Sequence, residues 1–267
     1  FGENPGITFS TIHALCFDIV KKYGKKRVDI ITEIEVYNYF NFRVRYIDQI
    51  NDKDEFVADL ILDISVMKNN MLSLSEYQPK CTEDKELFSN LYTGYEEYKD
   101  KESKIDFDDM LNLATRCLND NYIPSNMNYD YVIIDEYQDT SISRYSLINA
   151  LKKLTNAKII AVGDDFQSIF RFTGCNLDIF VNFNKYFSNP KIMKIENTYR
   201  NSYSLIKVAG DFIMKNDNQI KKNLKSNKEL YKPIIIYYYD STNYKSILKK
   251  SVDNLIINLK TRSIYTI

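Results

Sequence analysis

Two short apolar runs in this chain each end in a pair of acidic groups. Tyr131-Val132-Ile133-Ile134 leads into Asp135-Glu136, and Ile159-Ile160-Ala161-Val162 leads into Gly163-Asp164-Asp165. An aspartate at the end of a buried strand can hold Mg²⁺ directly or through water, and a neighbouring glutamate can orient or deprotonate a water. The plainer alternative is a pair of solvated carboxylates in a strand-to-helix turn. Just beyond the second run, Gly163 would let the backbone turn tightly toward a ligand, and Gln167 offers a neutral donor and acceptor suited to a phosphate or a water. Phe170 and Phe172 flank Arg171 in an otherwise polar stretch. Exposed aromatics interleaved with a cation stack single-stranded bases, whereas large apolar rings are as a rule core residues. Both readings of the two rings stand at this point.

These groups need elements to position them. A helical pattern over about 142–154, apolar at Leu147, Ile148, Leu151 and Leu154, joins the two β-runs into a βαβ unit, so the sheet is expected to be parallel with a right-handed crossover. The acidic pairs then lie beyond the C-terminal ends of neighbouring strands, where open α/β sheets bind ligands. Upstream, Ile12, Leu15, Cys16, Ile19 and Val20 predict a helix over 8–23 capped by Gly24, merging into the basic cluster 21–27. Residues from about 30 to 100 read as an all-α insertion, and an amphipathic helix follows to about 118. A second α/β unit starts near Ile192. It has a helix to about 215, a basic stretch 215–228, a strand Ile234 to Tyr239, and a helix carrying Leu248, Val252, Leu255, Ile256 and Leu259.

Composition narrows the function classes. The 267 residues hold 36 Lys+Arg against 36 Asp+Glu, which excludes a globally basic nucleic-acid binder but leaves local phosphate-binding patches open. One histidine excludes a His-rich zinc site. Cys16, Cys81, Cys117 and Cys175 are widely spaced, as reduced cytoplasmic thiols would be. No run approaches the roughly 18 apolar residues of a membrane span, and no secretory signal is visible.

Five strings in order carry a resemblance: Thr11-Ile12-His13-Ala14-Leu15, Asp106-Phe107-Asp108-Asp109-Met110-Leu111, Asp135 to Ser141, Gly163 to Gly174, and Thr198-Tyr199-Arg200-Asn201-Ser202. Together they resemble the motifs of UvrD/Rep-type superfamily 1 DNA helicases, and the fourth is most similar to the DNA helicase IV branch. The resemblance implies an α/β fold: a parallel-sheet RecA-like P-loop NTPase domain with an all-α insertion and the beginning of a second RecA-like domain. Residues 1–27 and 103–192 would form part of the first domain, 28–102 the helical insertion, and 193–267 the start of the second. It implies ATP and Mg²⁺ as cofactors, with ATP lying between the two α/β domains. The partner would be single-stranded DNA or a duplex with a single-stranded tail, travelled 3′ to 5′. By the same resemblance Asp135 is the Mg²⁺ partner, Glu136 the base that activates water, and Gln167 the γ-phosphate sensor. Tyr199 stacks on adenine and Arg200 is the arginine finger. Thr11, His13, Phe170 and Phe172 contact DNA.

The chain departs from the family in three ways. The 267 residues contain no Gly-x-x-x-x-Gly-Lys-Ser/Thr phosphate loop, the family's last motifs are missing, and Phe166 stands where helicase IV relatives usually have Trp. With Phe1 in place of Met, the expectation is an excised middle portion of a longer helicase that neither hydrolyses ATP nor unwinds DNA alone. Its first sheet should show a gap, an exposed edge or a contact with another molecule. Two other readings remain. One is a nuclease using Asp135, Glu136, Asp139, Asp164 and Asp165 to hold two metals; the other is a non-catalytic DNA- or protein-binding module.

Overall fold

The computed structural model describes residues 6–23, 29–120, 127–230 and 233–259. Gly24, expected to cap the first helix, and most of the basic cluster 21–27 lie outside these residues. The chain divides into two units, Phe1–Lys191 and Ile192–Ile267.

In the first unit the helices begin where side chains accept the backbone N–H groups that no helical carbonyl can reach. Thr11 Oγ1 accepts from the Ala14 N–H at 3.1 Å and opens α1 (Ile12–Tyr23). A short strand β1 (Asp29–Ile30) follows. Thr32 and Glu35 form a reciprocal capping box ahead of α2 (Glu33–Val44). Asp52 caps α3 (Lys53–Asn69) and Asp84 caps α4 (Lys85–Lys101). Strand β2 (Lys104–Ile105) pairs in parallel with β1, and a second capping box, Asp106 with Asp109, starts α5 (Phe107–Asn119).

The expected βαβ unit is present. Strand β3 (Tyr131–Ile134) runs parallel to β4 (Lys158–Ala161), with Tyr131 opposite Lys158 and Ile134 opposite Ala161. They are joined by α6 (Ile142–Thr155), which Ser141 caps. Two short helices, α7 (Leu177–Val181) and α8 (Phe183–Tyr186), come after the β4 loop.

Three apolar clusters hold these elements. Cys16, Ile19 and Val20 of α1 meet Met110, Leu111, Ala114 and Leu118 of α5 and Leu147 and Leu151 of α6. Phe40, Val44, Val57, Leu60, Phe88 and Tyr95 form the interior of the α2–α4 helices. Tyr137, Ile148, Ile179 and Phe187 make a third cluster, against which Ile134, Ile159 and Ala161 pack from the sheet. The alternate residues of the two strands have no such cover: Tyr131, Ile133 and Ile160 are exposed, Ile133 by 69%. A parallel sheet normally has both faces covered. The uncovered face of β3 and β4 is thus apolar among the described residues, a feature distinct from the gap, exposed edge or contact expected from the sequence.

In the second unit, Ser202 caps α9 (Tyr203–Ile213), and α10 spans Tyr244–Leu259. An isolated parallel bridge joins Asn197 to Lys225. The expected strand over Ile234–Tyr239 is not formed: these residues have no ladder partner among the described residues. β-Structure requires a neighbour for its backbone N–H and C=O groups, and an apolar run without one stays irregular. Small parallel sheets and many helices make this a mixed α/β chain.

Candidate active site and nucleic-acid interface

The backbone reverses where β3 ends. Glu136 takes a left-handed conformation, φ 51° and ψ 41°, which costs a non-glycine residue about 1–2 kcal/mol. The Asp135 carboxylate stabilises the reversal by accepting the Glu136 N–H at 3.0 Å. Across it the side chains change environment: Asp135 and Glu136 are exposed, whereas Tyr137 and Gln138 are buried. The adjoining loop is sewn on by the backbone, with Val162 N–H donating to Ile134 O at 2.8 Å and Tyr137 N–H donating to Val162 O at 2.9 Å.

Gln138, 1% exposed, spans the ends of the two strands. Its Nε2 donates to Glu136 Oε2 at 2.8 Å, while its Oε1 accepts the Asp164 N–H at 3.0 Å. The Asp164 carboxylate in turn accepts from Gln167 Nε2 at 2.8 Å and from the Phe166 N–H at 3.2 Å. Glu136, Gln138, Asp164 and Gln167 thus form one hydrogen-bonded chain. At Gly163 a Cβ would stand 2.6 Å from Gln138 Oε1 and 2.9 Å from Phe180 Cε2. The glycine makes room for Gln138 and Phe180.

Past Gln167 the chain reaches Phe170 and Phe172, whose rings lie 6.2 Å apart, tilted by 46°. Both are exposed, Phe172 by 57%, so the core alternative for these rings does not hold. Phe170 also lines a cavity of about 420 Å³ together with His13, Asn69, Asp108, Asp139 and Arg144. His13 is half-buried and meets Phe107 edge-on at 5.6 Å. Burial, assisted by the nearby Arg144 cation, holds its imidazole below the ordinary histidine range. Burial also pushes the Asp108 carboxyl up to about 6, against hydrogen bonds from Ser65 and Asn69. Asp139 is raised by burial and by Glu136, with Arg144 opposing. Arg144 Nη1 donates to the Asp139 carbonyl at 2.8 Å.

The UvrD/REP helicase N-terminal domain family matches residues 3–188. The chain belongs to the UvrD/Rep helicase family. The ATP-dependent DNA helicase Rep of Buchnera aphidicola subsp. Acyrthosiphon pisum (strain APS) is 32% identical over 237 residues, covering 83% of this chain and 35% of that protein. The Rep helicase of Escherichia coli (strain K12) is 28% identical, covering 83% and 34%. The PcrA helicase of Leuconostoc citreum is also 28% identical, covering 82% and 30%. The chain spans about a third of the length of these relatives.

The UvrD/Rep motif strings occupy distinct places in the fold. Asp135 and Glu136 stand at one strand end, Gln167 beyond the other, and Gln138 joins them. His13 and Phe170 share the cavity. Thr11 is exposed and spends its hydroxyl on the cap of α1. Tyr199 and Arg200 belong to the second unit, where both are exposed and the Arg200 N–H donates to Thr198 Oγ1 at 3.3 Å. Among the described residues, the one trio of acidic, histidine or cysteine ligand atoms within 4.8 Å of one another is Glu96, Asp106 and Asp109. Two buried ammonium groups, Lys68 and Lys99, already pair with all three. The five carboxylates suggested for a two-metal nuclease are therefore not gathered as such a centre among the described residues. The oxygen donors of Asp135 and Glu136, exposed together at a strand end, do suit a hard cation such as Mg²⁺.

Sequence reasoning gave no role to Gln138, although it lies inside one of the motif strings, two residues beyond Glu136. It passed over Arg144, Lys68 and Lys99 altogether. Lys68 and Lys99 reach Asp106 on another element, across 38 and 7 residues, and Arg144 donates to the Asp139 carbonyl, so the residue types at these positions do not by themselves mark the contacts.

Proposed function

We propose that this chain is the portion of a longer ATP-dependent DNA helicase that carries the base, the γ-phosphate sensor and a base-stacking surface. On this reading residues 1–27 and 103–192 belong to a first RecA-like domain, 28–102 to its helical insertion and 193–267 to the start of a second. Asp135 would hold Mg²⁺ and Glu136 would orient and deprotonate the attacking water; when bound, the cation neutralises phosphate charge. Gln167 would read the γ-phosphate, Tyr199 stack on adenine and Arg200 supply the cation that stabilises transferring charge. Phe170 and Phe172, with Thr11 and His13, would grip single-stranded DNA or the tail of a partly duplex substrate. The protein would work in the cytoplasm; no described helix is long and apolar enough to cross a membrane.

The observation that supports this most directly is the continuity from the exposed Glu136 through Gln138 and Asp164 to Gln167, only three residues ahead of the exposed Phe170. The proposed base at one end and the proposed stacking ring at the other are thus joined by a short path of hydrogen bonds and chain. Because the 267 residues contain no phosphate loop, the isolated chain should not hydrolyse ATP. The test is unwinding by the whole protein of duplexes with a 3′ or a 5′ single-stranded tail. ATP-dependent unwinding of the 3′-tailed duplex, lost on Arg200→Ala, is expected; unwinding that survives this change would contradict the role given to Arg200.

A further inference from the structure

We infer that Gln138 is a positioning residue for ATP hydrolysis, one that holds the Glu136 carboxylate and ties it to the turn carrying Gln167. The inference rests on the helicase reading and deepens it.

Gln138 is placed as a connector. Its amide is neutral and can donate from Nε2 while accepting at Oε1, and both capacities are used in opposite directions, toward Glu136 Oε2 and from the Asp164 N–H. The side chain is buried, so neither bond is readily exchanged for water, and an unmade bond to a buried group is costly. Gly163 leaves the space that lets the amide reach this far, since any Cβ would collide with Oε1. Glu136 itself sits on a left-handed backbone and is exposed, so its carboxylate is not held by surrounding packing. Gln138 also reaches Asp139 Oδ2, at 3.4 Å, but its two shorter bonds are those that link the strand ends.

The link has a consequence for coupling. A displacement of the Asp164–Gln167 turn moves the Asp164 N–H and so draws on Oε1 of the amide whose Nε2 orients Glu136. A base misplaced by about 1 Å can lose roughly 100-fold in rate, so a single planar amide suffices to make hydrolysis depend on the state of the neighbouring turn. A residue acting only in packing would have no such reach: its loss would lower stability and leave rate and coupling alone.

The test is steady-state ATPase kinetics of the whole protein carrying Gln138→Glu, Gln167→Ala and both. Gln138→Glu keeps an acceptor for the Asp164 N–H but replaces the donor facing Glu136 with a second carboxylate. It is expected to lower kcat by about 10- to 100-fold with KM for ATP within twofold, the pattern of an interaction made in the transition state. The double variant is expected to be no slower than the slower single variant, because both act through one chain. Should Gln138→Glu fail to fold, Gln138→Asn, too short to span both partners, is read in the same way. Wild-type kcat, or losses that multiply in the double variant, would overturn the proposal. Glu136→Gln serves as the control: if it leaves ATP hydrolysis intact, the helicase reading of this site fails, whereas if it abolishes hydrolysis and Gln138→Glu does not slow it, only the present proposal fails.

Discussion

Lys68 Nζ, on α3, lies 2.7 Å from Oδ2 of Asp106, the residue that caps α5. This contact joins the α2–α4 helices to the helix leading toward the β3–β4 unit, and it is part of a larger ionic cluster. Lys68 also pairs with Glu96 and Asp109, and Lys99, 2% exposed, pairs with the same three carboxylates. Burial alone would lower the Lys68 pKa, but the carboxylates outweigh it and hold the group well above the ordinary lysine range. Burial likewise opposes ionisation of Asp106, and Lys68 and Lys99 outweigh it, leaving the carboxyl well below its usual range.

Removing one cation should therefore be costly, since three partly buried carboxylates would be left with half their compensation. Lys68→Ala is expected to destabilise the first unit by about 3–5 kcal/mol, the range for breaking a buried ion pair, read as a lower midpoint in urea unfolding. The pH dependence follows from the two directions. Asp106, depressed in the folded state, contributes stability that is present above about pH 4, its unfolded value, and is lost as pH falls through its folded value. Lys68, raised in the folded state, contributes stability that is present in full below about pH 10.4 and fades only in stronger alkali. Lys68→Ala should consequently show its full cost across neutral pH.

Asp108 behaves in the opposite sense. Its folded pKa, pushed up to about 6 by burial, lies above the unfolded value of about 3.9, so the fold pays for ionising it. No penalty exists below about pH 4; it grows between about pH 4 and 6 and is complete above. Asp108→Asn keeps an acceptor for Asn69 Nδ2, which bonds Asp108 Oδ1 at 2.9 Å. The variant is expected to be more stable than the parent by about 2 kcal/mol at pH 8 and equal to it at pH 4, as measured by urea unfolding at both pH values.

Phe170 and Phe172 are exposed, so truncating Phe172 should change stability by less than about 0.5 kcal/mol. If the ring stacks on a base, Phe172→Ala should weaken single-stranded DNA binding by about 1–3 kcal/mol, roughly 5- to 150-fold in Kd, with little sequence preference. Fluorescence anisotropy with a labelled oligonucleotide checks this; unchanged affinity would remove Phe172 from the DNA surface.

Much of the first unit was legible because its signals are local. The β3–α6–β4 pattern could be read from apolar periodicity, and Asp135-Glu136 from its place after an apolar run. What stayed hidden depends on partners distant in sequence. Lys68 meets Asp106 across 38 residues, and Gln138 meets Asp164 across 26, so no window of sequence contains either pair. The sequence suggests a tight turn at Gly163, but not that its missing Cβ leaves room for Gln138, 25 residues upstream. The Ile234–Tyr239 run was read as a strand because its composition suits one, but strand formation depends on a hydrogen-bonded neighbour that composition does not reveal.

On the proposed reading, the Asp135–Glu136 strand end is the hydrolytic centre of an ATP-driven motor that moves on DNA. ATP hydrolysis by the whole protein, with and without single-stranded DNA, tests it most directly when wild type is compared with Glu136→Gln and DNA binding is measured alongside. DNA-stimulated hydrolysis is expected in the wild type, with a loss of at least about 100-fold on Glu136→Gln, in line with removal of a general base, and unchanged DNA affinity. Hydrolysis by Glu136→Gln at the wild-type rate would contradict this reading.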